Sequence, residues 1–506
     1  MISRFFAWLP FHKKTSWAER HFLQIVITGG LAAMVISMLV GLNQSVWFDE
    51  AYSIMLAKQP LDQLLYLTSI DTHPPLYYVL LKGWASIFGW SEFALRSLSV
   101  LALGGSIVIG GLLIRRMFGA RAALIVLPFV VFAPFILRYG FEIRMYVIAS
   151  LIGLTATYVL VKATEAKAVR QRWLLYGIYA VLVALGVYTL YYMALLWIAH
   201  VVWLIWRAMK QKKSLLKSEW LVAFAGSVVL FSPWLPTFLK QLNNGALAPI
   251  AQPLSVENLL GIVSFNFAYQ PTWQLSPFGS LLIVFVVCAV TYFAIQAYKI
   301  VTPKQHSYLV LLGLYMSIPI LVLALVSLQR PMYVERYLAH VAIGGLLFIG
   351  VAIALATSQQ VTKRVWVTAL LLFAILLSGT VHMAHIGNYN FQRAQQPSVR
   401  QASALVRACD NQTAVVAGDP YVAIELAYYL PDCQIYFYSE YDTLSGGYAP
   451  LSESPLRVTN PAQLKAGVQT IYYIYDNQLN LQFPARFKKV AEQSFDTLRV
   501  KKLSAE

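Results

Sequence analysis

Ile25-Val-Ile-Thr-Gly-Gly-Leu-Ala-Ala-Met-Val-Ile-Ser-Met-Leu-Val-Gly-Leu42 runs without a break into Asn43-Gln-Ser-Val-Trp-Phe-Asp-Glu-Ala-Tyr52. The first stretch is apolar and, with the residues just before it, reaches the roughly 20 residues a helix needs to cross a bilayer. The second places two adjacent carboxylates, Asp49 and Glu50, where that helix leaves the hydrocarbon. Carboxylates at a membrane boundary are costly unless water, a ligand or a partner charge receives them. The junction therefore predicts a membrane protein with a site at its surface.

Composition agrees. The chain has 506 residues, 58% hydrophobic and only 12% charged, with a mean hydropathy of +0.61. Soluble domains carry about 25% charged residues, so the chain reads as polytopic. A formal charge of +17 would suit nucleic acid, but its distribution argues against that partner. From Asn388 onward, 11 Lys and Arg balance 11 Asp and Glu. The whole basic excess lies in the membrane part, where positive loops set orientation. Met1 to His21 is polar and basic, and the apolar run after it ends in Gly41-Leu-Asn, which predicts no cleavable leader.

Apolar windows predict about eleven spans near 22–42, 96–114, 121–137, 145–163, 173–188, 190–207, 219–239, 277–298, 307–328, 337–357 and 365–385. With the N-terminus in the cytoplasm, 20 Lys and Arg fall inside and 8 outside. That bias predicts the orientation, and an odd span count puts the C-terminal region outside as well. Residues 1–387 then form a multispan membrane domain with a long first outer loop, 43–95, and residues 388–506 an extracytoplasmic domain. The first loop is aromatic and amphipathic, expected to form short surface-lying helices broken at Pro74-Pro75.

In the last domain, Thr413-Ala-Val-Val-Ala-Gly418, Gln434-Ile-Tyr-Phe-Tyr438 and Thr470-Ile-Tyr-Tyr-Ile-Tyr475 read as strands. Tyr421 to Leu430 and Pro461 to Ala466 read as helical links, giving a small α/β layer. Cys409 and Cys433 both lie there, where a disulfide is permitted. The fold class expected is thus an α-helical polytopic membrane protein with a small C-terminal α/β domain.

Four motifs follow one another in the first part of the chain: Trp47-Phe-Asp-Glu-Ala-Tyr-Ser53, Asp71-Thr-His-Pro-Pro-Leu-Tyr-Tyr78, Ser91-Glu-Phe-Ala-Leu-Arg-Ser97 and Tyr139-Gly-Phe-Glu-Ile-Arg-Met-Tyr146. In order and spacing they resemble the GT-C superfamily of membrane glycosyltransferases, in the branch of the protein O-mannosyltransferases and aminoarabinose transferases. The resemblance implies a hexosyl- or pentosyltransferase in a cell membrane, bacterial by its likeness, that takes a sugar from a polyprenyl phosphate. The acceptor would be a protein, lipid or polysaccharide on the outer face. It implies an acidic base in the first outer loop, matching Asp49, and no obligatory metal or cofactor.

Elementary chemistry supports that division of labour. A carboxylate can take the proton of an attacking hydroxyl, typically worth about 10²–10⁴-fold. The departing phosphate is already a stable anion and needs charge stabilisation, for which arginine offers a planar, permanent cation. Asp49 and Glu50 are the catalytic candidates, although an acid there would also cap a helix beginning near Ala51. Arg330, Arg336, Arg144, Arg96 and Tyr333 are candidate donor-phosphate ligands. His73, Glu142, Arg138 and Asp71 complete the site, each with a plainer reading as a turn residue, a salt bridge or an interfacial anchor. A lipid transporter or flippase is the rival reading; it expects ionisable groups near the middle of the membrane.

Overall fold

The computed structural model describes residues 17–212, 214, 218–243, 255–270, 276–359, 363–386, 388–390, 393–395, 398–407, 409–439, 457–458, 460, 463–464, 467–476, 481–495 and 498–506. Among them, 9 helices are long and apolar enough to cross a membrane, or up to 11 if two bent pairs each count as one span. Every expected span coincides with one of these. The two bent pairs break where proline interrupts the ladder. Ala120–Val131 turns by 67° into Pro134–Gly140, and Glu219–Phe231 turns by 79° into Leu235–Asn243. The first bend matters for function, because it delivers Arg138 and the short loop 141–145 to the site.

The bundle is organised around the span Glu335–Ser358, whose apolar window is 89% buried, against 22% for Pro277–Ile300. Small residues let neighbours close on it, as helix packing in membranes favours. At Gly350, a Cβ would come within 2.8 Å of Val126. The first span behaves similarly at its outer end, where a Cβ on Gly41 would lie 2.7 Å from the Phe141 ring. Only glycine allows the loop carrying Glu142 and Arg144 to pass so near the exit of that span.

The first loop forms three short helices: Phe48–Lys58, Leu61–Ile70 and Leu76–Phe88. Their breaks fall at Gln59-Pro60 and at the segment from Asp71 to Pro75, the second as the diproline requires. A further helix, Val256–Phe267, occupies the long loop between the spans ending at Asn243 and starting at Pro277.

Among the described residues the C-terminal sheet domain contains eight strands: β1 (Asn388–Asn390), β2 (Arg393–Gln395), β3 (Thr413–Ala417), β4 (Ile435–Tyr438), β5 (Arg457–Val458), β6 (Thr470–Asp476), β7 (Phe487–Phe495) and β8 (Leu498–Ala505). β1 and β2 form a small ribbon, and the others a sheet in the order β5-β4-β3-β6-β8-β7. The first four of that order run parallel, and β8 and β7 close the edge antiparallel. The three strands expected from sequence are present, with the helix Pro420–Tyr429 between β3 and β4. The expected Pro461–Ala466 link lies largely outside the described residues. Cys409 and Cys433 are disulfide-bonded, with Cα atoms 4.7 Å apart. The helix Pro420–Tyr429 packs on the first-loop helix Phe48–Lys58, where Phe48 and Tyr421 meet edge to face at 4.6 Å.

Candidate active site

The helix Phe48–Lys58 is capped from one side: the backbone N–H of Trp47 donates to Glu50 Oε2 at 3.4 Å, while the Trp47 side chain accepts nothing in return. Glu50 is completely buried. Its carboxylate also accepts Arg96 Nε at 3.2 Å and Arg96 Nη2 at 2.8 Å, and the Ile143 backbone N–H at 3.1 Å. Every polar direction of this acid is therefore committed to structure. Arg96 is equally committed. It is fully buried and donates to Glu50, to Glu92 at 3.2 Å, and to the carbonyls of Gly41, Gln44 and Ser45. Sequence reasoning placed Glu50 among the catalytic acids and Arg96 among the phosphate ligands; the geometry makes them partners of each other, with no donor or lone pair left for substrate.

Asp49, one residue earlier in the same helical turn, has the contrary environment. Its Oδ2 lies 3.5 Å from Arg336 Nη2 and 3.9 Å from Arg144 Nε. That oxygen is buried and accepts no hydrogen bond, and Arg144 Nε likewise donates none. Burial pushes the Asp49 carboxyl up, but the fields of the guanidiniums, Arg144 first and then Arg336, outweigh it and hold the group below the usual carboxylate range. Asp49 is thus an ionised carboxylate with an unused oxygen between two cations.

Both arginines are positioned by tyrosines and hydroxyls. Arg144 Nη1 donates to Ser53 Oγ at 3.2 Å and to Tyr78 OH at 3.3 Å, and Arg336 Nε to Tyr146 OH at 3.1 Å. Arg144 Nη2 is 3.4 Å from His73 Nε2. Since a guanidinium only donates, Nε2 accepts, leaving the proton on Nδ1. That N–H faces Thr72 Oγ1 at 2.7 Å, and the threonine hydroxyl donates to Asp71 Oδ1 at 3.4 Å. Burial, only partly opposed by Asp71, lowers the proton affinity of His73, so the imidazole is neutral. The segment Asp71-Thr-His73 thus acts as a prop for Arg144.

Glu142 is buried and receives Arg138 Nη1 at 3.4 Å on Oε2, while Oε1 has no hydrogen-bond partner. Burial, against the field of Arg138, pushes its carboxyl up to about 7. Arg138 is itself buried, with its guanidinium 4.9 Å from the Phe141 ring centre.

Two further expected ligands stand elsewhere. Arg330 is exposed and donates to the Leu242 carbonyl at 3.0 Å, which fastens the Gln329–Arg336 turn to the end of the helix Leu235–Asn243. Tyr333 is buried with its hydroxyl donating to the Asn258 carbonyl at 3.1 Å. Both are therefore braces of the turn, and Arg336 is its member that enters the charged cluster. Ser53, Thr72, Tyr78 and Tyr146 were not singled out from sequence. Their signal was present in the motifs: Ser53 lies one helical turn beyond Asp49, and Tyr78 follows the diproline.

Beside this cluster lies a cavity of about 400 Å³ between the helices Val256–Phe267, Pro277–Ile300, Pro303–Ser327 and Ala339–Gln359. Its walls are almost entirely apolar, including Phe135, Leu259, Val286, Ile320 and Leu346. The one carboxylate among its lining residues is Glu335, whose neighbour Arg336 reaches Asp49. An oily chamber and the charged cluster thus meet at one dipeptide. Among the described residues no group of three or more His, Cys, Asp or Glu is arranged to hold a metal ion.

Residues 72–236 match the family model described as dolichyl-phosphate-mannose-protein mannosyltransferase. Among solved structures, ArnT from Cupriavidus metallidurans bound to undecaprenyl phosphate superposes with a TM-score of 0.60 at 13% identity, covering 95% of this chain and 98% of that one. Its apo form gives 0.57 at 12% identity, over 95% of this chain and 98% of that chain. The Archaeoglobus fulgidus oligosaccharyltransferase tethered to an acceptor peptide gives 0.48 at 12% identity, covering 91% of this chain and 70% of that chain. No curated protein matches the sequence.

Proposed function

We propose that this chain is a membrane glycosyltransferase of the GT-C superfamily, a reading supported by its fold and by the match over residues 72–236, and that it moves a sugar from a polyprenyl phosphate carrier to an acceptor at the outer face of the membrane. One observation carries this reading: a buried, ionised carboxylate oxygen on Asp49, free of hydrogen bonds, between Arg144 and Arg336 and next to an apolar cavity. Fully buried carboxylates are ordinarily saturated, as Glu50 is. An unsaturated one facing two guanidiniums suits a transient substrate better than a permanent partner.

In this mechanism the polyprenyl chain occupies the apolar cavity and its phosphate replaces part of the Asp49 charge opposite Arg336 and Arg144. The acceptor hydroxyl donates to Asp49 Oδ2 and attacks the anomeric carbon from the face opposite the phosphate. As the new bond forms, the bond to the phosphate oxygen breaks, the hydroxyl proton passes to Asp49, and the anomeric configuration inverts. The two arginines act on charge that grows on the leaving phosphate, which is where fixed cations lower a barrier. That the matched ArnT structure contains undecaprenyl phosphate supports a lipid phosphate as donor.

Orientation rests on two supports. The Lys and Arg bias favours a cytoplasmic N-terminus. The Cys409–Cys433 disulfide suits an oxidising compartment for the C-terminal domain. The transporter reading gains no comparable support. Every Asp, Glu, Lys and Arg in the described spans lies within about two turns of a helix end, whereas a pathway would need such groups along its depth.

The test is transfer in vitro. Purified protein in lipid is offered polyprenyl phosphate carrying hexoses or pentoses, with mass spectrometry of surface glycans from cells with and without the chain naming the acceptor. Release of polyprenyl phosphate together with an inverted product is expected. Tight donor binding with no transfer to any envelope acceptor would defeat the proposal.

A further inference from the structure

A chain of charges leads from the C-terminal domain to the helix that carries Asp49, and nothing in the mechanism above uses it. Arg400, on the helix Ser398–Ser403, donates to Glu92 through Nε at 3.1 Å and Nη2 at 2.5 Å. Tyr429 OH donates to Glu92 Oε1 at 2.9 Å. Glu92 opens the second span and also accepts Arg96 Nη1 at 3.2 Å. Arg96 in turn grips Glu50 through two nitrogens, and Glu50 accepts the backbone N–H groups of Trp47 and Ile143. Those two peptides stand two residues before Asp49 and one before Arg144.

The same two residues of the C-terminal domain also hold the strand of backbone that leaves the first span. Arg400 Nη2 donates to the Gln44 carbonyl at 2.7 Å, and the Arg400 backbone N–H to Ser45 Oγ at 3.3 Å. The Val46 N–H donates to Tyr429 OH at 2.7 Å. Residues 44 to 46 therefore lie between Arg96 from the membrane part and Arg400 with Tyr429 from the sheet domain.

We propose that Arg400 and Tyr429 are positioning residues, through which the seated C-terminal domain fixes Asp49 and Arg144 at their working separation. The Gln44 carbonyl of the exit segment and the Glu92 carboxylate are each shared between two arginines, one on each body. Removing the outer arginine leaves both Glu92 and the Gln44 carbonyl with Arg96 as their one remaining cationic partner. The exit segment then loosens, and the helix start that it feeds shifts with it. Displacements of an ångström at a reacting group cost up to about a hundredfold in rate. The lipid cavity is untouched, since none of its lining residues belongs to this network.

This inference rests on the reading of Asp49 as the base, so its test carries a readout independent of transfer. Full-length Arg400→Ala, Arg400→Lys and Tyr429→Phe proteins in lipid are compared with wild type by amide hydrogen exchange and by donor kinetics. Exchange in Arg400→Ala is expected to rise at least tenfold over residues 43–50 and 141–145, with β3 and β6 unchanged. Turnover should fall about ten- to hundredfold, with the donor KM within twofold. Tyr429→Phe should show a smaller change in the same segments, and Arg400→Lys a partial recovery of both. Unchanged exchange in those segments overturns the inference, as does raised exchange with wild-type turnover. Raised exchange throughout the sheet would mark a merely structural role and also overturn it. If wild-type protein transfers no sugar, the enzyme reading fails alone, and the exchange data still decide the coupling.

Discussion

Two acids adjacent in the chain, Asp49 and Glu50, end in regions with opposite logic. On the Glu50 side, a buried carboxylate and the buried Arg96 satisfy each other, and neighbouring backbone takes what remains. On the Asp49 side, two arginines stand 3.5 and 3.9 Å away and one carboxylate oxygen accepts no hydrogen bond. Burial is nearly equal in the two, at 0% and 8% exposure, so burial does not separate a structural acid from a working one. Saturation does. A knot of completed bonds holds shape, while an incomplete one holds a place for something that arrives and leaves.

The sharpest way to break this contrast is Asp49→Asn. The amide keeps the shape but takes no proton, so transfer should fall about 10²–10⁴-fold, while the melting temperature and donor-lipid binding stay near wild type. Near-normal turnover by this variant would remove the distinction. The converse substitution, Glu50→Ala, should act first on folding. It strands Arg96 without its main counter-charge, a change that costs roughly 3–5 kcal/mol when the pair is buried. Thermal unfolding is expected to show that loss before any effect on the donor KM; an unshifted melt with lost turnover would make Glu50 a substrate ligand.

The arginines supply a second pair for the same comparison. Arg336 faces Asp49, whereas Arg330, six residues earlier, points to the Leu242 carbonyl from an exposed position. Arg336→Gln should lower kcat by about 10²-fold, the scale of losing one oriented stabiliser of developing charge. Arg330→Gln should stay within a few-fold. The first change also removes a positive neighbour that holds Asp49 ionised. The acidic limb of the pH–rate profile should therefore move to higher pH in Arg336→Gln and stay in place in Arg330→Gln.

The membrane fold was legible because its signal is long and redundant. Eleven apolar windows survive errors of several residues at each end, and the positions of Asp49, Arg144 and Arg336 near helix ends follow from them. The bends after Val131 and Phe231 were less visible, since a kinked pair and a straight span have the same hydropathy. β7 was missed for another reason: it is an edge strand of the sheet, and most of it faces water, so its sequence carries no alternation to read. Within the site, residue type revealed which positions were charged but not who pairs with whom. Glu50–Arg96 spans 46 residues and Asp49–Arg336 nearly three hundred, and no local pattern distinguishes a charge that is answered from one that is not.

Glu142 stands between the two regions and sharpens their boundary. It is buried and paired to Arg138 through one oxygen only, with the other oxygen unpartnered. Burial, against that pair, pushes its carboxyl up from the ordinary 4.5 to about 7. A folded-state value above the unfolded one means the folded form prefers the protonated acid. The stability this group contributes is thus full below about 4.5 and lost as pH rises through about 7. Between pH 5.5 and 8.5 the wild-type melt should fall by roughly 2–4 °C more than that of Glu142→Gln, which cannot ionise. Infrared difference spectra should show a protonated carboxyl band vanishing with a midpoint of about 7, absent from the variant. A midpoint near 4.5 would place Glu142 with the saturated acids on the Glu50 side, held ionised by Arg138; a midpoint of about 7 makes it a proton-bearing neighbour of Asp49, whose charge rises at the site as pH does.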